Sequence, residues 1–293
     1  MSRAGLRVEV TGPRALLQDL GRPGQSGLGV GRSGAADRGA LRLANRLVAN
    51  DEAAAGIEVT MGGLRVRALR DLTVAVTGPP APVRVSGRPV GSHAPITVRR
   101  DQTLELGIPA EGLRNYVAVR GGIVAPTLFG SVSTDTMSGI GPPPLSTGDE
   151  LAVGDAPTDQ PVVDVAPIAP PGPARLRVLL GPRDDWFTDP SVLGDGRWQV
   201  SDDSDRVGLR LVRPRGDGAL LRRSDDAELP SEGVVRGALQ VPRGGEPVLF
   251  LADHPVTGGY PVVGVVLDAD CDRAAQLRPG DPVSFRLVTA RMR

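Results

Sequence analysis

Short runs in which apolar and polar residues alternate recur along the chain, among them LRVEVTG, DLTVAVTG, VRVSG, ITVRRDQTLELGI, YVAVRGG, RLRVLLGP, PVLFLAD and VSFRLVTA. A period of two places one set of side chains on a buried face, so each run predicts a half-buried strand. Valine dominates these runs, and 39 glycines and 28 prolines punctuate the chain. That pattern predicts a mainly β fold, sandwich or barrel, with a few short helices, rather than wound βαβ units. One stretch changes period. In AADRGALRLANRLVAND, Ala40, Leu41, Ala44, Leu47 and Val48 share a face at 3.6-residue spacing. Asp37 is placed to cap its start and Asn50 to end it, which predicts a helix over about 36–50. A second short helix is expected from Asp51 to Ala55, before Gly56.

The segment DAPTDQPVVDVAPIAPPGPA, residues 155–174, carries six prolines. Proline fixes φ and removes a donor, so this segment is expected to run extended, as a linker between two domains of residues 1–160 and 170–293. The chain's length, 293 residues, suits two domains of ordinary size. STGDELAVG (146–154) and RPGDPVSFRLV (278–288) both set a Gly-Asp turn before a strand. Either each closes a small barrel of its own, or two common turns coincide.

Composition removes several chemistries. The formal net charge is zero and the chain has no basic or acidic tail, so neither nucleic acid nor an anionic membrane is an expected partner. No run approaches the ~18 apolar residues of a membrane-spanning helix, and MSRAGLRVEV lacks a secretory apolar core, so a cytoplasmic location is expected. Every one of the 34 basic residues is arginine. Without lysine there is no Schiff base, no side chain to carry biotin, and no Gly-Lys-Ser/Thr phosphate loop. One cysteine, Cys271, and two histidines give no expected metal site.

Four stretches carry candidate chemistry. GLGVGRSGAADR has the spacing Gly29-x-Gly31-x-x-Gly34, but a loop precedes it, whereas a dinucleotide fingerprint needs a strand there. The narrower reading is a glycine loop with Arg22, Arg32 and Ser33 leading into a helix N-terminus, which suits a carboxylate or phosphate oxygen; alternatively Asp37 simply caps that helix. In GSVSTDTMSGIG, Ser131, Ser133, Thr134 and Asp135 either bind a ligand or satisfy turn backbone. In SDDSDRVGLRL, Arg206 and Asp205 are expected to pair or to lie on the surface. FLADHPVTGGYPVVGVVL (250–267) reads as two strands around a polar loop that holds Asp253, His254, Thr257 and Tyr260 beside Gly258-Gly259. Of the two histidines, His254 is the better acid or base, and His93 reads as a turn residue.

In order along the chain, LLQDLGRPGQSGLGV, SGAADRGALRLANRLVANDEAAAGIEV, YVAVRGGI, LFGSVST, SDRVGLRL, GALQVPRGGEPVLFLAD, TGGYP and AQLRPGDPVSF resemble the family of 5-oxoprolinase C-type subunits. That family is also called the KipI antagonist or biotin-dependent carboxyltransferase family and is related to a domain of urea carboxylase. The resemblance implies two cyclophilin-like β-barrel domains. It implies a KipI-like B-type subunit for a partner, with an A-type subunit joining them in an ATP-dependent opening of 5-oxo-L-proline to L-glutamate. Two other activities remain open: a carboxyltransferase module served by biotin on another protein, and a non-catalytic binder that antagonises a KipI-like inhibitor. Asp253, His254 and Tyr260 then stand as catalytic candidates. Arg22, Asp37, Ser131, Thr134, Arg206, Gln240, Thr257, Gly258 and Gly259 stand as substrate-binding ones. The chain departs from the family pattern at His254-Pro255-Val256-Thr257, where Gln-Thr-Thr is usual. It departs again at Val132, where arginine is common, and at Gly141-Pro142-Pro143, where Gly-Arg is. Each change removes hydrogen-bond donors.

Overall fold

The computed structural model describes residues 3–168, 172–224 and 227–289. The chain divides into two compact units, one of Met1–Pro23 with Ser33–Pro171 and one of Gly24–Arg32 with Gly172–Arg293. The segment Gly24–Arg32 thus belongs with the second unit although the first unit surrounds it in sequence.

The first unit is built on two sheets. A seven-stranded sheet runs in the order Ile123–Val124, Glu150–Val153, Arg3–Thr11, Leu64–Ala68, Thr103–Leu106, Val83–Val85, Arg88–Val90. A five-stranded sheet runs Arg14–Gln18, Gly56–Thr60, Arg114–Val119, Leu72–Thr77, Ile96–Val98. Their inner faces share one core, with Leu6, Val8, Val66 and Leu104 from the first meeting Leu17, Ile57, Val59, Val74 and Val117 from the second. Helix α1 (Arg38–Leu47) covers the other face of the five-stranded sheet, where Leu41, Ala44 and Leu47 pack on Ala75, Tyr116 and Ala118. Consequently Arg114–Val119 is buried at every position, with no in–out alternation of exposure. Asp37 caps α1 as its sequence predicts, accepting the Ala40 amide at 2.8 Å. The expected second helix is absent, because Asp51 Oδ1 takes the Ala53 amide at 2.7 Å and closes a turn instead.

The proline-rich stretch is held on the first unit over its described part. Arg120 donates to the carbonyls of Pro157 (2.7 Å) and Asp159, and the Ala166 amide donates to His93 O at 2.8 Å. Residues 169–171 of the expected linker lie outside the described residues.

The second unit is a closed barrel in the order Ala174–Leu180, Val262–Val266, Ala238–Gln240, Val248–Phe250, Gly208–Val212, Trp198–Val200, Pro282–Val288, sealed by parallel pairing of its first and last strands. Trp198 fills its core, with Nε1 donating to Leu193 O at 3.1 Å and the Arg213 guanidinium 3.6 Å from its ring centroid. Helix α2 (Asp268–Ala274) packs Cys271 and Ala274 into that core.

The two Gly-Asp turns repeat one another closely. Ser146 N donates to Asp149 Oδ2 (2.8 Å) and Asp149 N returns to Ser146 O (3.1 Å), while Arg278 N and Asp281 make the same reciprocal pair at 2.8 and 3.0 Å. In each unit the turn also clasps a valine of a neighbouring strand. Gly148 N bonds Val8 O and Val8 N bonds Asp149 O; Gly280 N bonds Val200 O and Val200 N bonds Asp281 O.

Candidate functional site

The residues picked out by sequence fall into two groups, one in each unit. In the first unit the loop after Arg14–Gln18 folds onto the segment 131–135. Asp19 organises this contact: its Oδ1 accepts Gly21 N (2.7 Å), Ser131 Oγ (2.6 Å) and Ser133 Oγ (2.5 Å), and its Oδ2 accepts Val132 N (2.9 Å). Four donors on one carboxylate fix both loops. Arg22 is buried and donates through Nη2 to Ser133 O. The Thr134 hydroxyl donates to Pro142 O at 2.9 Å. The hydroxyls of Ser131 and Thr134 are therefore engaged within the chain, satisfying loop groups as one of the two sequence readings allowed.

Gly34 lets this loop close. Its φ is +95°, and a Cβ there would lie 2.7 Å from Gly21 N, so no side chain fits between the two glycines. Beneath the loop lies a buried cluster that sequence reading missed. Glu58 and Tyr116 are register partners on adjacent strands, and both are fully buried. Tyr116 donates to Glu58 Oε2 at 2.8 Å, the same oxygen accepts Ala36 N at 3.0 Å, and Asp37 N donates to the Tyr116 oxygen at 2.8 Å. Arg114 Nε stands 3.6 Å from Glu58 Oε1. Burial, then the charge of Glu58, pushes the Tyr116 phenol well above its ordinary value, so it stays a donor. The available signal was a glutamate between Ile57 and Val59 in an otherwise apolar strand, opposite one of only two tyrosines in the chain.

In the second unit Arg206 and Asp253 form a fully buried, two-toothed ion pair, Nε–Oδ2 2.9 Å and Nη2–Oδ1 3.2 Å. The sequence offers Arg206 either Asp205 as a partner or a place on the surface; it has neither. Asp205 instead receives the Val207 and Gly208 amides and forms the turn. The Asp253 amide donates to Arg206 O at 3.0 Å, so backbone and side chains tie the two loops twice. The loop 254–260 follows Asp253 directly in sequence. His254 Nδ1 lies 2.7 Å from Pro255 O, and because a carbonyl only accepts, Nδ1 carries a proton.

The glycine pair makes room for the protein's own groups. A Cβ on Gly258 would lie 2.3 Å from Gln240 Nε2, the atom that donates to Tyr260 O at 3.1 Å. Gly259 faces Leu229 O and Ser231 Oγ. Thr257 and Gly258 pair with Gly233 and Glu232 in a two-residue ribbon, and Arg183 anchors Glu232 by a forked ion pair. Thr257 and Tyr260 remain exposed, Tyr260 at 45%. The loop thus presents two hydroxyls to solvent. Among the described residues no group of three or more His, Cys, Asp or Glu side chains could hold a metal ion, and no helix is long and apolar enough to cross a membrane.

A closed barrel joined in sequence to a two-sheet unit, each with a loop cluster locked by buried charge, defines a protein of the carboxyltransferase-domain type. The chain belongs to the carboxyltransferase domain, subdomain A and B, family, which it matches over residues 28–287. It is 36% identical to the C-type subunit of 5-oxoprolinase from Escherichia coli (strain K12), over 96% of this chain and 90% of that protein. It is 31% identical to urea amidolyase of Saccharomyces cerevisiae, over 96% of this chain but 16% of that protein. Among solved structures, TTHA0988 superposes with a TM-score of 0.87 at 33% identity, over 97% of this chain and 55% of that one. The Kluyveromyces lactis urea amidolyase superposes with a TM-score of 0.88 at 28% identity, over 97% of this chain and 19% of that one.

Proposed function

We propose that this chain is the C-type subunit of an ATP-dependent 5-oxoprolinase, acting in the cytoplasm with a KipI-like B-type partner and an A-type partner to open 5-oxo-L-proline to L-glutamate. One observation carries this reading: proteins named as the C-type subunit of 5-oxoprolinase match the chain nearly end to end, 90% and 89% of their own lengths, whereas the urea amidolyases match only over 16% and 17% of theirs. The chemistry needs ATP because a five-membered lactam is a poor electrophile. Transfer of the terminal phosphoryl group of ATP to the lactam oxygen, with ADP leaving, makes the carbon more electrophilic and the ring nitrogen easier to expel. One water adds at that carbon and the C–N bond breaks to give an acyl phosphate and the free amine. A second water hydrolyses the acyl phosphate to the carboxylate and phosphate. This chain has no lysine, which excludes a Gly-Lys-Ser/Thr phosphate loop on it, and this reading puts the ATP site on, or shared with, a partner protein. Thr257 and Tyr260 are the hydroxyls exposed to meet a substrate, and Asp253 positions their loop through Arg206.

The test is reconstitution of the three-protein complex, followed by ATP turnover and glutamate release with and without 5-oxoproline. Turnover that requires this chain supports the reading. On the substrate side, Tyr260→Phe is expected to lower kcat by about 100-fold if the phenol moves a proton in the reaction, with an unchanged melting temperature. A second reading, transfer of a carboxyl group from biotin on another protein, draws on the family description and the urea amidolyase relatives. Carboxylation of an amide or urea substrate only when a biotinylated carrier is added would favour it.

A further inference from the structure

Two buried side chains in the first unit hold hydrogen-bonding atoms that the protein leaves unmet. Arg22 is 1% exposed, and while Nη2 serves Ser133 O, its Nε and Nη1 have no partner. Gln18 is fully buried and donates through Nε2 to Thr134 O at 2.8 Å. That carbonyl can only accept, so the amide orientation is fixed and Oε1 is an acceptor, again with no partner. An unmet buried polar group is destabilising, more so when it carries a charge as a guanidinium does.

Arg22 and Gln18 sit in one locality, since they hold the carbonyls of consecutive residues, Ser133 and Thr134. The neighbouring hydroxyls are already spent: Ser131 and Ser133 donate to Asp19, and Ser33 donates to Thr134 O at 3.2 Å. What remains is two guanidinium nitrogens, with three N–H donors between them, and one amide acceptor. A group complementary to that set accepts with an oxygen and donates with an N–H. We propose that Arg22 and Gln18 form a polar subsite for a small molecule that pairs an oxyanion with an amide-type N–H. The oxyanion meets the Arg22 donors and the N–H meets Gln18 Oε1. Sequence reading does not single out Gln18, the last residue of a strand in which Ala15, Leu16 and Leu17 precede it.

A lactam bearing a carboxylate is one member of this class, and the subsite rests on the proposed function for that choice of probe. Calorimetric titration of the full chain, alone and in its reconstituted complex, would compare 5-oxo-L-proline with its two halves: acetate, an oxyanion without N–H, and 2-pyrrolidinone, an N–H without a carboxylate. The expected result is that 5-oxoproline binds at least about tenfold more tightly than either half, the strength of one charge-assisted hydrogen bond. Arg22→Lys keeps the charge and one donor for Ser133 O, and should erase the advantage over 2-pyrrolidinone. Gln18→Leu should erase the advantage over acetate. Melting temperatures of both variants separate lost binding from lost fold, and the Arg22→Lys result stands if Gln18→Leu fails to fold. Affinity equal to that of acetate, no saturable binding in either form, or binding indifferent to Arg22→Lys would overturn the subsite. Turnover of 5-oxoproline that continues unaltered in Arg22→Lys sinks the subsite and spares the proposed function. Binding with the expected selectivity but no turnover does the reverse.

Discussion

At the scale of single residues, the site loops depend on charges placed out of water. Arg206 and Asp253 are each 1% exposed, so removing one partner strands the other. Asp253→Asn is expected to destabilise the second unit by about 3–5 kcal/mol, read by urea denaturation. Replacing both by apolar residues of similar size should recover much of that loss, because the desolvation of the two charges disappears with them. Gly258→Ala is smaller in effect: its Cβ displaces the Gln240 amide from Tyr260 O, which costs about 1 kcal/mol for the lost hydrogen bond. Sequence identifies Arg206 and Asp253 as residues of interest but offers Arg206 only its neighbour Asp205 or the surface. The true partner is 47 residues away, and nothing in local spacing encodes a contact of that range. Asp19 lies within a segment that resembles the family but is not singled out, for the same reason: the donors that make it an organising centre arrive from Ser131, Val132 and Ser133.

At the scale of elements, legibility followed period. Helix α1 has a 3.6-residue stripe and a capping aspartate, and both were readable. Arg114–Val119 is buried on two faces, so its strand was readable while its second covering layer was not. The Thr257–Gly258 ribbon is too short to show any period. Its stability is tied to Arg183, which hydrogen-bonds Glu232 and holds that carboxyl below its ordinary value of 4.5. A depressed carboxylate stabilises the folded form above its unfolded value and loses that contribution as pH falls through the folded one. Amide exchange at Val234, whose N–H is bonded to Val256 O, should therefore lose protection selectively below about pH 4.5, and Glu232→Gln should show the loss already at neutral pH. The extended segment after residue 155 responds in the same direction, in a higher pH window. His93, whose carbonyl takes the Ala166 amide, is held below 6.5 by burial. The unfolded chain then protonates first, so stability declines as pH drops from 6.5 toward the folded value and levels beneath it. His93→Asn retains a residue suited to the positive φ of 58° there, and should flatten the melting temperature between pH 7 and about 5.

At the scale of the whole chain, the resemblance between the two Gly-Asp turns was visible as a few matching letters, with chance an equal explanation. The structure decides for a shared device, because the hydrogen bonds match as well as the residues: a reciprocal clasp within the turn and a two-way grip on a valine in the adjoining strand. Each clasp serves a different core, Val8 and Leu151 in the first unit, Val200 and Val283 in the second. The two sets of partners do not overlap. If each turn closes its own unit, the effects of breaking them should stay local and add. Asp149→Ala removes the acceptor for Ser146 N and should cost about 1 kcal/mol. The loss would read as faster amide exchange at Val8 and along Glu150–Val153, with the barrel strands unchanged. Asp281→Ala should do the same at Val200 and along Pro282–Val288 only. The double variant should show both patterns at their single-variant magnitudes. Loss of protection spreading from either substitution into the other unit's strands would mean that the cores open together, and the turns would then have to be read as parts of one cooperative structure.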